Sequence, residues 1–150
     1  ANSHRLLRYL DGTLHHPLKK AEKMKFATWN VNSLGVRLPQ VLDWLANNPV
    51  DVLALQELKL TDDKFPADVF AAAGYQAQWF GQKTYNGVAL LSRSDATDVV
   101  KNIPDFEDDM ARVIAGTVNG VRVIGAYFPN GQAPDSDKFV YKMRWHPNKH

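Results

Sequence analysis

Cysteine is absent from all 150 residues, which excludes disulfides, thiolate zinc sites and thiol nucleophiles while leaving the compartment open. No apolar run approaches the ~20 residues that a membrane-spanning helix requires. The first residues, ANSHRLLRYLDG, also lack the continuous apolar stretch of a secretory signal. The expectation is a soluble, cytoplasmic protein with no membrane partner. A strong excess of one charge is missing too. The formal net charge is +2, and it divides unevenly: residues 1–25 hold six Lys/Arg against Asp11 and Glu22, whereas residues 26–150 hold twelve basic and fourteen acidic side chains. The basicity belongs to the leader, so charge alone gives no reason to expect that the folded part binds nucleic acid. What is present is 45% hydrophobic residues in a 16.9 kDa chain, enough for one core.

Residues 1–23 show no sustained helical or strand period and read as a separate leader. From Met24, a candidate start, the pattern changes. KFATWNV is rich in aromatic and β-branched residues and predicts a strand ending at Asn30. Leu38, Val41, Leu42 and Leu45 share one helical face, closed by Asn47, Asn48 and Pro49. DVLALQ predicts a buried strand reached through that helical crossover. Pro66–Ala73 predicts a short helix with Gly74 after it. YQAQWF and GVALLSR predict strands on either side of the turn-rich GQKTYNG. ARVIAGTV and VRVIGAYF flank Asn119-Gly120, a pair suited to a type I′ hairpin because both turn positions need positive φ. PNGQAPDSDKF reads as a loop, and Lys138–Trp145 as a helix stopped by Pro147.

The polar ends of these strands carry the chemistry. Asn30 and Asn32, Gln56 and Glu57, the Tyr85–Gly87 turn, and Tyr127 to Asn130 all lie where apolar strands stop or start, and such ends gather at one rim of a sheet. A lone carboxylate after a strand is most often a solvated loop residue or a cap. A carboxylate beside carboxamides, a phenol and glycine loops instead suits magnesium and a phosphate, since magnesium takes oxygen ligands, keeps several waters and needs only one or two carboxylates. Taken singly, Tyr127 also reads as a strand-end aromatic, Arg112 as a strand-edge charge and Asn130-Gly131 as a plain turn. His146 and His150 have the spacing of a helical metal pair, but Pro147 interrupts them and no third ligand is evident; His15-His16 offers no more.

TWNVNSL, DVLALQELK, GQKTYNGVALLSR, ARVIAGTV and GAYFPNG, in this order, resemble successive motifs of the exonuclease III family, most of all its Neisserial-type abasic endonucleases. The resemblance covers residues 24 to about 145. It implies an α/β fold, the N-terminal half of a four-layered α/β/β/α sandwich of the deoxyribonuclease I type. It also implies a DNA-repair hydrolase that cuts the phosphodiester 5′ to an abasic sugar in double-stranded DNA, with 3′ exonuclease trimming, using magnesium or, in its place, manganese. By position, Glu57 corresponds to the metal-binding glutamate and Asn30 to the asparagine that holds the site and its neighbouring groups, so the resemblance implies Glu57 and Asn30 as the residues at the metal. Tyr127 corresponds to the tyrosine at the scissile phosphate, where a neutral phenol donates to developing charge. Asn32, Lys59, Tyr85, Asn86, Arg112 and Asn130 match DNA-contacting or site-supporting positions.

The sequence departs from the family after this point. It contains no GDxN motif, no later aspartate in the family's place and no SDH motif, and HPNKH stands where a helix is expected to continue. The expected organisation is a leader over residues 1–23, half of a catalytic domain over 24–145, and a divergent tail over 146–150. Three readings follow: a truncated and inactive abasic-site nuclease, a non-catalytic nucleic-acid-binding fragment, or a half-enzyme completed by a C-terminal half on another chain. An uncovered sheet face is also expected, because Val88, Leu90, Ile114, Val123 and Ile124 lie on strands that one helix layer covers on only one side. Self-association would follow from it.

Overall fold

The computed structural model describes residues 3–7, 24–102, 112–127 and 137–143. In chain order the elements are β1 (Ser3–Leu7), β2 (Phe26–Asn30), α1 (Leu34–Asn47), β3 (Val52–Gln56), a 3-10 turn (Asp62–Lys64) and α2 (Ala67–Ala72). They continue with β4 (Gln76–Phe80), β5 (Val88–Ser92), β6 (Ala96–Lys101), β7 (Val113–Val118), β8 (Val121–Tyr127) and β9 (Asp137–Met143). Two sheets result, with strand orders β1-β2-β3-β5-β4 and β6-β7-β8-β9. Among the described strands only β2 and β3 run parallel, joined by α1 as the crossover that parallel strands require.

Alternation along the strands builds two cores. Ala27, Trp29, Leu53, Leu55, Ala89 and Leu91 face α1 and α2, meeting Leu34, Val41, Leu45 and Phe70. Phe26, Val52, Ala54, Val88 and Leu90 face the second sheet, meeting Ile114, Val118, Val121 and Val123. This is the two-residue period of a sheet covered on both faces. The sheets approach closely at Gly125, where an added Cβ would lie 3.4 Å from the Ala54 Cβ and 3.5 Å from Leu90. Helices, first sheet and second sheet form three layers of the expected sandwich. Among the described residues no helix is long and apolar enough to cross a membrane.

Three expectations change. Val88, Leu90, Ile114 and Val123 are fully buried between the two sheets, and Ile124 is half-buried. The first sheet thus covers the face that carries Ile114 and Val123, whereas Ile124, alternating with Val123 along β8, lies on the opposite face. Each such burial contributes roughly 1.5–3 kcal/mol. Secondly, the leader is not wholly separate: Ser3–Leu7 adds as an antiparallel edge strand, pairing Ser3 with Asn30 and Leu7 with Phe26. An edge of unpaired N–H and C=O groups accepts such a segment without needing a marked hydrophobic pattern in it. Thirdly, the helix expected from Lys138 is replaced by β9, which pairs Asp137 with Tyr127 and Met143 with Val121. Two isolated helical turns are marginal, whereas Phe139, Val140 and Tyr141 are strand-favouring types that complete the open edge of β8. The expected loop before it also loses Asp137–Phe139 to this strand.

Candidate active site

Asn30 and Gln56 pair across the parallel strands, and Gln56 pairs with Val88 across the next, so three strand ends stand at one rim of the first sheet. The loops that follow are joined by backbone hydrogen bonds. Val31 N–H donates to Gln56 O at 3.0 Å, and Ser33 N–H to Glu57 O at 2.8 Å. Leu34 N–H donates to Leu58 O at 3.0 Å, Leu58 N–H to Gly87 O at 3.2 Å, and Lys59 N–H to Asn86 O at 3.0 Å. Ser33 makes no side-chain cap to α1. The Glu57–Leu58 carbonyls instead accept N–H groups at the helix start that a capping side chain would otherwise serve.

These bonds hold unusual backbone. Asn32, Ser33, Glu57, Lys59, Thr84 and Asn86 all have positive φ, between 47° and 93°. Asparagine tolerates this region; residues such as glutamate, lysine and threonine occupy it only where their surroundings compel them. Gly87, at φ +94°, has no room for a side chain, since a Cβ would lie 2.9 Å from the Leu58 Cβ.

On this frame the side chains converge. Asn30 Nδ2 donates to Glu57 Oε2 at 2.7 Å. Asn30 Oδ1 accepts the Asn32 N–H at 3.0 Å. A carboxylate only accepts, which fixes the direction of the Asn30 amide. Lys59 Nζ donates to Asn32 Oδ1 at 2.6 Å and stands 3.8 Å from Glu57 Oε1. The ammonium only donates, so the Asn32 oxygen must face it. Glu57 and Lys59 side chains are 20% and 31% exposed, which leaves the pair within reach of a ligand.

Two oxygens, Glu57 Oε1 and Asn32 Oδ1, thus point at a cation, the ammonium of Lys59. This donor set suits a hard, oxygen-seeking metal ion. It supplies one carboxylate, and no group of three His, Cys, Asp or Glu that could hold a metal occurs among the described residues. The Asn30 amide serves Glu57 and the Asn32 backbone, so its position is that of an orienting group.

The other expected site residues fall around this cluster. Asn86 is buried and its Nδ2 donates to Gln82 Oε1 at 3.1 Å, a contact that no motif signalled. Tyr85 beside it is 53% exposed. Arg112 and Tyr127 meet in the second sheet, where Tyr127 N–H donates to Arg112 O at 2.9 Å, and Tyr127 packs on the inter-sheet core that contains Val88. Asn130, and the His146/His150 and His15-His16 pairs, lie outside the described residues. Gln56, a polar strand end, is fully buried and donates to Thr28 Oγ1 at 2.7 Å, a position inside the fold.

The chain is similar to known proteins over most of its length. The sequence model of the Endonuclease/Exonuclease/phosphatase family matches residues 27–149. The chain is 31% identical over 138 residues to exodeoxyribonuclease III of Haemophilus influenzae, covering 84% of this chain and 52% of that protein. Its fold is similar to that of NExo, a 3′-5′ exonuclease from Neisseria meningitidis, with a TM-score of 0.70 and 59% identity over 75% of this chain and 44% of the other. NExo from Neisseria is also described as a 3′ phosphatase bound to a product DNA hairpin. An AP endonuclease from Archaeoglobus fulgidus is similar at a TM-score of 0.69 and 39% identity, over 72% of this chain and 42% of that one. The chain spans about half the length of the curated relative it matches. With its motifs in order, its two-sheet α/β architecture and the match over residues 27–149, the chain belongs to the endonuclease/exonuclease/phosphatase family.

Proposed function

We propose that this chain supplies the metal-anchoring half of a DNA-repair phosphodiesterase of the exonuclease III type, acting in base excision repair on double-stranded DNA at abasic sites or 3′ ends. The observation that carries the reading is the 2.7 Å hydrogen bond from Asn30 to Glu57, which fixes one carboxylate at the rim with an oxygen turned toward a cation. Similarity to exodeoxyribonuclease III, to NExo and to an AP endonuclease supports DNA as the substrate.

In this reading Glu57, with Asn32 beside it, holds magnesium, or manganese in its place. The ion would polarise a phosphoryl oxygen and stabilise developing charge. Asn30 keeps the Glu57 carboxylate in one orientation. Tyr127 donates its phenolic hydrogen to a phosphate oxygen, Arg112 supports the same phosphate from the end of the second sheet, and Asn130, by its place in the family motif, contacts a phosphate oxygen. Tyr85, exposed beside the rim, packs on sugar or base, while Asn86 holds the Lys59 backbone in place. The groups that orient the water and complete the metal shell come from GDxN and SDH motifs, which these 150 residues do not contain. Groups that act as a unit are strongly non-additive when some are removed. In this reading activity requires a polypeptide that carries those motifs.

An incision assay on a duplex carrying an abasic-site analogue tests this. The 150-residue chain alone should leave the duplex intact in magnesium. Joined to a polypeptide bearing GDxN and SDH motifs, it should incise, and Glu57→Ala should abolish that incision. Incision that survives Glu57→Ala would overturn the site, and turnover by the chain alone would overturn the division into halves.

A further inference from the structure

We propose that the Lys59 ammonium is a resident counter-ion in the metal seat, which a divalent ion must displace, so that Lys59 sets the metal affinity of the site. The inference rests on the reading of Glu57 as the metal anchor. The geometry is specific. Nζ lies 2.6 Å from Asn32 Oδ1 and 3.8 Å from Glu57 Oε1, the same two oxygens that would face a metal ion. Glu57, Asn32 and Lys59 together carry no net formal charge, so the ammonium already neutralises the carboxylate. A divalent ion entering with the ammonium still in place would meet a like charge a few ångströms away, which disfavours both.

The backbone gives the lysine little freedom to leave by moving its Cα. Lys59 has φ +57° and its N–H is bonded to Asn86 O, while Glu57 two residues earlier has φ +58°. Exchange must therefore occur through the flexible four-carbon stem, and the 31% exposure of the side chain gives that stem a route to solvent. The result is a site that stays closed by its own cation until metal competes for it.

Manganese titration of the 150-residue chain, followed by the loss of free-ion paramagnetic signal, tests the proposal without reference to turnover. Lys59→Met keeps the stem and removes the charge, and it should bind manganese about tenfold more tightly than the parent. Lys59→Arg keeps a cation there and should gain nothing comparable. In the parent, magnesium should shift the Lys59 13Cε resonance, assigned by its absence in Lys59→Arg. This second measurement decides the matter if the methionine variant does not fold. Unchanged or weaker manganese binding by folded Lys59→Met, or a Lys59 resonance unmoved at saturating magnesium, would overturn the proposal while leaving Glu57 as anchor. Binding that is equally tight in Glu57→Gln would overturn the anchor itself, and the proposal with it.

Discussion

The rim loops after β2 and β3 and the hairpin of β7 and β8 are built from strands of similar length, five residues in the first case and six and seven in the second. They use left-handed backbone in opposite ways. The hairpin turns on Asn119 and Gly120, at φ 51° and 80°, residue types that enter this region easily. The rim puts Ser33, Glu57 and Lys59 there, types that resist it by about 1–2 kcal/mol each. What holds the rim is its set of loop-to-loop backbone bonds, contributed by segments far apart in sequence. The hairpin is specified locally and the rim by its surroundings. Strain of this kind is characteristic of functional sites, and here it lies under the Glu57–Lys59 cluster.

The contrast can be broken most forcefully at Gly87. Gly87→Ala places a Cβ against Leu58 at a φ that alanine resists, and should cost about 2–4 kcal/mol in urea unfolding. The damage should reach the Leu58 and Lys59 backbone bonds, so manganese binding should weaken even where the variant remains folded. A loss below about 1 kcal/mol would mean that the rim adapts and is not held as described.

A smaller effect is expected away from the rim, at Tyr75, whose buried hydroxyl donates to Val50 O at 2.7 Å. Burial raises its phenol pKa above the ordinary value of 10.0; Arg93 opposes the shift and Asp51 adds to it. The raised value favours the neutral form in the folded chain. Its stabilisation is therefore complete below the unfolded pKa and is lost as pH rises from there through the folded pKa. Tyr75→Phe should cost about 1 kcal/mol at neutral pH and remove this part of the alkaline loss. Urea unfolding at pH 7 and above pH 10 reads both, and an unchanged alkaline slope in the variant would assign the loss elsewhere.

The smallest effect is expected at Gly125, where the sheets meet. Its added Cβ finds neighbours at 3.4 and 3.5 Å, ordinary contact distances, and its φ is not in the left-handed region. Gly125→Ala should change stability by less than about 1 kcal/mol. A cost equal to that of Gly87→Ala would show that close approach of the sheets, and not backbone conformation, distinguishes the two regions.

Much of the fold was legible where a local signal repeats. The Leu38, Val41, Leu42 and Leu45 face reports α1, the apolar runs report β2, β3 and β5, and Asn119-Gly120 reports the hairpin, because helix period, strand alternation and turn chemistry act between near neighbours. The polar strand ends likewise marked Asn30, Asn32 and Glu57 as residues of one rim. The pairing of Ser3–Leu7 with β2 and of Asp137–Met143 with β8 was not legible, since a short segment takes strand conformation when an open edge offers partners. The sequence by itself determined the residue types at the site, the order of its motifs and the alternation of its strands. Only tertiary structure decided that each sheet would cover the other, that Asn30 would orient Glu57, and that the Lys59 ammonium would stand between Glu57 and Asn32. Those outcomes depend on loops brought together across 27 residues of chain or more, and no local propensity encodes such distances.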